Sequence, residues 1–440
     1  MSDTPLFGTD GVRGLANVEL TADMAFGLAR AAGDGRTGSV VVGRDTRRSG
    51  QMLSAAIQAG FNASGFDTVD VGIIPVGGVS HLIGALGADF GVMVSASHNP
   101  AADNGIKFFG PGGSKLDDDR ESAIEARFRH GEPWDEVSGP DVGIQITIDD
   151  AVDRYVRHLV AQADHHLSGI DVVLDCANGA AVRAAPDLFR AAGATVEAMC
   201  VEPTGLNIND GCGAVHPEGL AARSEGRIGL AFDGDADRLI AIDEDGRVCN
   251  GDVVMAILAR YLRERQELPG DTVVTTVMAN LGFKIAMHGL AINVVETDVG
   301  DRYVFEEMRR IGAGLGGEQS GHVLLRDRAT GDGLLTGLRL LEVVASTGAP
   351  LRELRRVMIE FPQVLRNVQV RVKERLGDAD GVWSAVEKME KRLGDDGRVL
   401  VRASGTEPLV RVMVEARESH EAAAVAEELV SVVRAELGGK

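Results

Sequence analysis

One pattern, written three times, constrains what this chain can fold into more than anything else in it. A β-branched run leading through a turn into a helical stretch occurs at Val40-Val-Val-Gly-Arg-Asp45, at Val172-Val-Leu-Asp-Cys-Ala-Asn178 and at Thr272-Val-Val-Thr-Thr-Val277. A short alternating strand follows each: Thr68-Val-Asp-Val-Gly72, Thr195-Val-Glu-Ala-Met199 and Ile292-Asn-Val-Val295. A third strand then ends in a polar loop: Phe90-Gly-Val-Met-Val-Ser-Ala-Ser-His98, Ile228-Gly-Leu-Ala-Phe-Asp-Gly-Asp235 and Gly314-Leu-Gly-Gly-Glu-Gln-Ser320. Strand–helix alternation predicts right-handed βαβ units in a mixed, largely parallel sheet. Ligands of such sheets bind beyond the carboxyl ends of the strands. The repeat therefore predicts three similar mixed-sheet α/β domains around a central cleft.

The tail breaks the pattern. Asn367-Val-Gln-Val-Arg-Val372, Arg398-Val-Leu-Val-Arg402 and Leu409-Val-Arg-Val-Met-Val414 alternate as half-exposed strands do, and a helix is expected over about 420–437. This predicts a smaller C-terminal α+β domain. The expected domains are 1–145, 146–250, 251–365 and 366–440, and 440 residues are too many for one core.

Composition narrows the partners. A net charge of −21 argues against nucleic acid and anionic membranes, both of which reward a basic surface. A phosphate site in such a chain must be locally positive, and with seven lysines against 38 arginines the charge should come mainly from arginine. No apolar run reaches the roughly 18 residues of a membrane span, and the N-terminus lacks a basic region followed by an apolar stretch, so the expected place is the cytoplasm. Cys176, Cys200, Cys212 and Cys249 form no C-x-x-C pair and read as buried or incidental thiols.

Four strings can carry chemistry. In Ser95-Ala-Ser-His-Asn-Pro-Ala-Ala-Asp-Asn-Gly-Ile-Lys107, Ser97 sits after an apolar strand where its hydroxyl can face a cleft, and Lys107 is expected to return to the site after a turn at Asp103-Asn-Gly105. In Asp233-Gly-Asp-Ala-Asp-Arg238, extended chain would put Asp233, Asp235 and Asp237 on one face, where three carboxylates call for a hard cation such as Mg²⁺. A calcium loop also fits the first positions, although Arg238 stands where that loop needs glycine; a solvated acidic turn and a phosphorylated Asp233 are further rivals. In Gly316-Gly-Glu-Gln-Ser-Gly-His322, Glu318 and Ser320 can share a face and clasp sugar hydroxyls. In Arg402-Ala-Ser-Gly-Thr-Glu-Pro-Leu-Val-Arg411, small residues let backbone N–H groups converge on an anion beside two guanidinium forks.

Together with the opening Phe7-Gly-Thr-Asp-Gly-Val-Arg-Gly14, these strings resemble, in order and across nearly the whole chain, the α-D-phosphohexomutase family. Gln319 stands where relatives acting on glucose or mannose phosphates commonly carry methionine, so the resemblance is greatest to the branch acting on glucosamine phosphate. Ala236 stands where many members have glycine.

The resemblance implies that Ser97 is a phosphorylated serine and that Asp233, Asp235 and Asp237, with an oxygen on Ser97, hold Mg²⁺. It implies that Lys107, His98 and Arg13 surround the transferring phosphate, with Lys107 the choice for proton transfer. Glu318, Ser320, His322 and Arg238 would meet the sugar. Arg402, Ser404, Gly405, Thr406 and Arg411 would hold the phosphate that does not react. The implied reaction converts glucosamine 6-phosphate to glucosamine 1-phosphate through a bisphosphate, primed by glucosamine 1,6-bisphosphate or glucose 1,6-bisphosphate; phosphoglucomutase or phosphomannomutase activity, or a non-catalytic sugar-phosphate sensor, is the alternative. The implied reaction would feed UDP-N-acetylglucosamine synthesis, and the resemblance implies a homodimer.

Overall fold

The computed structural model describes residues 5–8, 10–33, 37–131, 137–326, 328, 330–404 and 408–438. The repeat is visible in the sheets. In the first, Gly38–Arg44 lies between Phe66–Ile73 and Phe90–Val94, all parallel. In the second, Asp171–Asp175 lies between Thr195–Met199 and Ile228–Phe232. In the third, Thr272–Thr276 lies between Asn293–Thr297 and Leu315–Gly317. In each case the third parallel strand turns back into an antiparallel neighbour: Asp103–Phe109, Leu239–Ile242 and Val323–Leu325 respectively. The three polar loops are these turns, so the same topology delivers all three at the carboxyl ends of equivalent strands.

Phe90–Val94 and Ile228–Phe232 are buried at every residue. A parallel strand covered by helices on both faces can be apolar throughout, and these two read that way. One departure from expectation lies beside them. Asp103-Asn-Gly105 is no turn but the start of a strand, paired with Phe90–Val94 on one side and Val12–Leu15 on the other. Asn104 is fully buried, its amide donating to Ser49 Oγ at 2.9 Å. A side chain at Gly105 would collide with the Ser95 carbonyl, so the glycine serves close backbone approach there.

Residues 1–278 and 292–357 form one compact unit; Ala279–Ala291 and Met358–Lys440 form a second. In the second, Gln363–Gln369, Leu409–Ala416 and Gly397–Ala403 make an antiparallel sheet, with Leu409–Ala416 in the middle. Helices Asp380–Leu393 and Ser419–Leu437 cover it, burying Val382, Val386, Val425 and Leu429 against Val401, Val410 and Val412. Asn280, which caps helix Leu281–Gly289, donates to Phe361 O at 2.9 Å and Glu415 Oε1 at 3.1 Å and so ties that helix into this unit. Among the described residues, no single helix is long and apolar enough to cross a membrane.

Within the larger unit the helices Val76–Leu86 and Ala151–Val160 meet at a pair of stacked imidazoles, His81 on His158, with centroids 3.6 Å apart. Arg328 approaches the far side, its Nη2 3.1 Å from His158 Nε2. Burial, then His158, then Arg328 push the His81 pKa down from its ordinary value to about 4. Unfolded chain takes up a proton near pH 6.5 that folded His81 refuses, so stability falls as pH drops from about 6.5 towards 4. Melting temperature measured across that window should show the loss, and His81→Asn should shallow the slope.

Candidate active site

Ser97 follows the buried strand Phe90–Val94 and holds a left-handed backbone, φ +50°. Non-glycine residues tolerate that only where the surroundings over-determine it, and here they do. The Ser97 N–H donates to Ser95 Oγ at 2.9 Å, and Ser95 Oγ donates to Asp45 Oδ2 at 2.7 Å. Asp45 pairs with Arg47 Nε at 2.9 Å, both side chains being completely buried. The other arms of Arg47 reach the carbonyls of Pro100, Asp103 (3.0 Å), Ser97 (2.9 Å) and Asn99 (2.8 Å). From the second domain Asn209 Nδ2 reaches the same Ser97 and Asn99 carbonyls, at 2.9 and 3.1 Å. Asp45, Arg47 and Asn209 were not among the expected site residues. The one sequence signal was a charged pair, Asp45 and Arg47, directly after a buried strand.

The three aspartates come together, though not by alternation along extended chain. Residues 234–236 turn, and Ala236 takes φ +59°. A left-handed position explains why glycine is common there in the resembling family. The turn brings one oxygen from each of Asp233, Asp235 and Asp237 within 4.8 Å of the others. All three residues are buried. A side chain at Gly234 would strike the Ser97 carbonyl, which is why this loop can lie against the first.

The Ser97 hydroxyl donates to Asp233 Oδ2 at 2.5 Å. Burial, then Asp237 and Asp235, hold the Asp233 carboxyl well above the usual carboxylate range. Asp235 Oδ1 and Asp237 Oδ1 are buried with no hydrogen-bond partner. Clustered hard oxygens, two of them orphaned, fit a small divalent cation.

Around this nest runs a ring of alternating charge. Lys107 Nζ lies 2.8 Å from Asp235, 3.5 Å from Asp237 and 2.7 Å from Asp10. Asp10 also pairs with Lys115 at 3.0 Å and with Arg13. Lys115 reaches Asp301; Asp301 lies 3.3 Å from His322 Nε2, and His322 Nδ1 lies 3.6 Å from Asp237. The ring thus joins the first, third and second sheets. Burial disfavours charge on Lys107, but Asp10, Asp235 and Asp237 outweigh it and hold the amine well above its ordinary range. Burial is likewise outweighed by Asp237 and Asp301 at His322, whose pKa stands up at about 9. His98 goes the other way: burial, Arg238 and Arg13 push it down to about 4, with its Nδ1 3.3 Å from Ser97 Oγ. Asp10, Lys115 and Asp301 were missed in the sequence: Lys115 and Asp301 lie outside the quoted strings, and Asp10, inside the opening one, had no expected role.

The third loop docks on the second through a bridge between His322 and Arg238 and through Leu239 N to Gly321 O at 3.0 Å. Glu318 accepts from Ser320 Oγ at 3.1 Å and from Gly300 N at 3.1 Å. The two therefore share a face, as expected. Arg238 N donates to Asp233 Oδ1 at 3.1 Å. Of the expected site residues, Ser97, His98, Lys107, Arg13, the aspartates, Arg238, Glu318, Ser320 and His322 all lie in this one neighbourhood.

The remaining residues are in the C-terminal unit. Arg402 and Arg411 are directly opposed across the antiparallel pair Gly397–Ala403 and Leu409–Ala416. Ser404 O accepts from Lys373 Nζ at 2.7 Å, adding a third cation. Gly405 and Thr406 lie outside the described residues.

Models of all four phosphoglucomutase/phosphomannomutase domains match in order: α/β/α domain I over residues 4–133, domain II over 153–246, domain III over 250–361 and the C-terminal domain over 367–432. The chain belongs to the phosphoglucomutase/phosphomannomutase family, whose members are phosphohexomutases, enzymes of the isomerase class. Within it, proteins named phosphoglucosamine mutase from Streptomyces coelicolor and Mycolicibacterium vanbaalenii are each 51% identical to it, across 98% of this chain and 99% of theirs. A family member from Burkholderia thailandensis has a crystal structure that superposes with a TM-score of 0.83 at 27% identity, covering 98% of this chain and 97% of that one. Aspergillus fumigatus N-acetylphosphoglucosamine mutase, solved in complex with GlcNAc-6P and magnesium, superposes with a TM-score of 0.72 over 98% of this chain and 96% of that one; at 18% identity it speaks for the fold alone.

Proposed function

We propose that this chain interconverts glucosamine 6-phosphate and glucosamine 1-phosphate, with Ser97 carrying the phosphoryl group between the two hydroxyls. The observation that carries the reading is the Ser97 hydroxyl 2.5 Å from Asp233, at the edge of a buried nest of three carboxylates with two orphaned oxygens. A serine needs such a nest when it bears a phosphoryl group of roughly −1.5 to −2 charge, because the cation it calls for neutralises that charge. Mg²⁺ bound by Asp233, Asp235, Asp237 and a Ser97 phosphoryl oxygen would supply Lewis-acid neutralisation during transfer.

Phosphoryl transfer asks the protein mainly for alignment and for cations around the moving oxygens. Arg47 and Asn209 fix the Ser97 backbone; Lys107 and Arg13 provide positive charge beside it. Lys107 is the proposed proton donor, the direction in which a lysine held in its charged form can act. Glu318 and Ser320 orient the sugar through its hydroxyls, and Arg238 and His322 complete that wall. Arg402, Ser404, Gly405, Thr406 and Arg411 hold the phosphate that is not reacting. The 1,6-bisphosphate formed in the first transfer must turn over so that its other phosphate returns to Ser97. Glucosamine 1,6-bisphosphate or glucose 1,6-bisphosphate primes the serine. We place this chemistry in the cytoplasm, where its product would enter UDP-N-acetylglucosamine synthesis.

Arg411→Ala should raise KM by about tenfold or more while kcat changes little, since one charge-assisted fork is worth about 1.5–3 kcal/mol. The substrate reading is tested by comparing kcat/KM for glucosamine 6-phosphate, glucose 6-phosphate and mannose 6-phosphate with Mg²⁺ and a bisphosphate primer. Preference for the amino sugar is the expected result. Preference for glucose or mannose phosphate would overturn the substrate and leave the chemistry standing.

A further inference from the structure

Two of the four cysteines, Cys200 and Cys212, come together in space. Cys200 directly follows strand Thr195–Met199, and Asp175 ends the adjacent parallel strand Asp171–Asp175. Cys212 comes from the segment that follows. One carboxylate oxygen of Asp175 and the sulfurs of Cys200 and Cys212 all lie within 4.8 Å of one another. No disulfide joins them. Asp175 and Cys212 are buried while Cys200 is partly exposed, so the group has one open side. Each Asp175 oxygen accepts one backbone N–H, from Ala177 and from Gly213, both at 2.9 Å. These bonds fix the carboxylate, which the Cys200 thiol also meets by a hydrogen bond.

We propose that Asp175, Cys200 and Cys212 form a binding site for a thiophilic divalent cation of the zinc class. Two sulfurs and one carboxylate oxygen within 4.8 Å of one another, with one side open to solvent, suit a d¹⁰ ion and disfavour Mg²⁺. Each thiol gives its proton to solvent as the sulfur takes the metal. The position agrees with the fold, at the carboxyl ends of two adjacent parallel strands. It also has a consequence for the neighbouring loop. Cys212 shares its segment with Asn209, whose amide holds the Ser97 and Asn99 carbonyls. An ion here ties two strand ends to the segment that buttresses the Ser97 loop.

The test uses the full chain, freed of metal and reduced, and titrated with Co²⁺. Thiolate ligation gives an intense sulfur-to-cobalt charge-transfer band in the near ultraviolet; Co²⁺ held by carboxylates alone gives none. The expected result is a band saturating at one Co²⁺ per chain, bleached by Zn²⁺, lost in Cys200→Ser and in Cys212→Ser, and kept in Cys249→Ser. Circular dichroism on each variant separates loss of the site from loss of the fold. Absence of the band in the unaltered chain at saturating Co²⁺ overturns the site whatever the variants do, as does a band that survives in both Cys200→Ser and Cys212→Ser.

Discussion

Ser97→Ala abolishes turnover, lowering kcat by at least about three orders of magnitude, because no other group can stand in for a nucleophile that must itself be phosphorylated. The fold should survive. Ser97 gives its side chain to one strong hydrogen bond, to Asp233, while its backbone is held from outside by Ser95, Arg47 and Asn209. The variant should therefore keep the melting temperature of the parent within a few degrees and still bind glucosamine 6-phosphate. Steady-state assay, calorimetric titration and a thermal melt on one preparation check the three statements. Full activity in the variant would sink the assignment.

The largest expected effect on stability belongs to a residue that never meets the substrate. Arg47 is fully buried and bonds to Asp45 and to the carbonyls of Ser97, Asn99, Pro100 and Asp103. Arg47→Met would leave Asp45 as a buried charge without its guanidinium and take one donor from each of four carbonyls, of which Ser97 and Asn99 keep Asn209. Removing one partner of a buried ion pair costs about 3–5 kcal/mol, so a drop in melting temperature on the order of 10 °C is expected. Activity should fall too, since the Ser97 backbone loses the brace that keeps it left-handed. Arg47→Lys restores the charge without the fork and should recover part of the stability and little of the activity. An unchanged melt for Arg47→Met would mean that Asn209 and Ser95 alone hold the loop.

The residues that could be read in the sequence are those whose chemistry is local. Ser97, the three aspartates, Glu318 and His322 each lie in a short polar string that ends an apolar strand, and the threefold repeat told that the strings were equivalent. Residues that act across the fold left no comparable trace. Asp10, Lys115 and Asp301 stand far apart in the chain and become a ring only when three sheets meet. Asn209 reaches its target across 112 residues.

Two local readings failed for physical reasons. Asn104-Gly105 has turn chemistry, yet the glycine is there for backbone approach and the asparagine for a buried bond to Ser49. The aspartates alternate in sequence, but a left-handed Ala236, not an extended strand, brings them together. The cysteines taught the same lesson from the other side: without C-x-x-C spacing, the nearness of Cys200 to Cys212 depends on how the second sheet is wound.

The central claim is that a phosphoryl group travels from Ser97 to the sugar and back. It is tested most directly by phosphorylating the enzyme with its bisphosphate primer and removing the excess. One equivalent of glucosamine 6-phosphate is then added, and both Ser97 and the sugar are followed by mass spectrometry over a single turnover. Loss of the phosphoryl group from Ser97 matched by equal appearance of a glucosamine bisphosphate, with no inorganic phosphate, is the predicted result. Release of inorganic phosphate instead, or glucosamine 1-phosphate formed with no transient loss of the phosphoryl group from Ser97 and no transient bisphosphate, would contradict it.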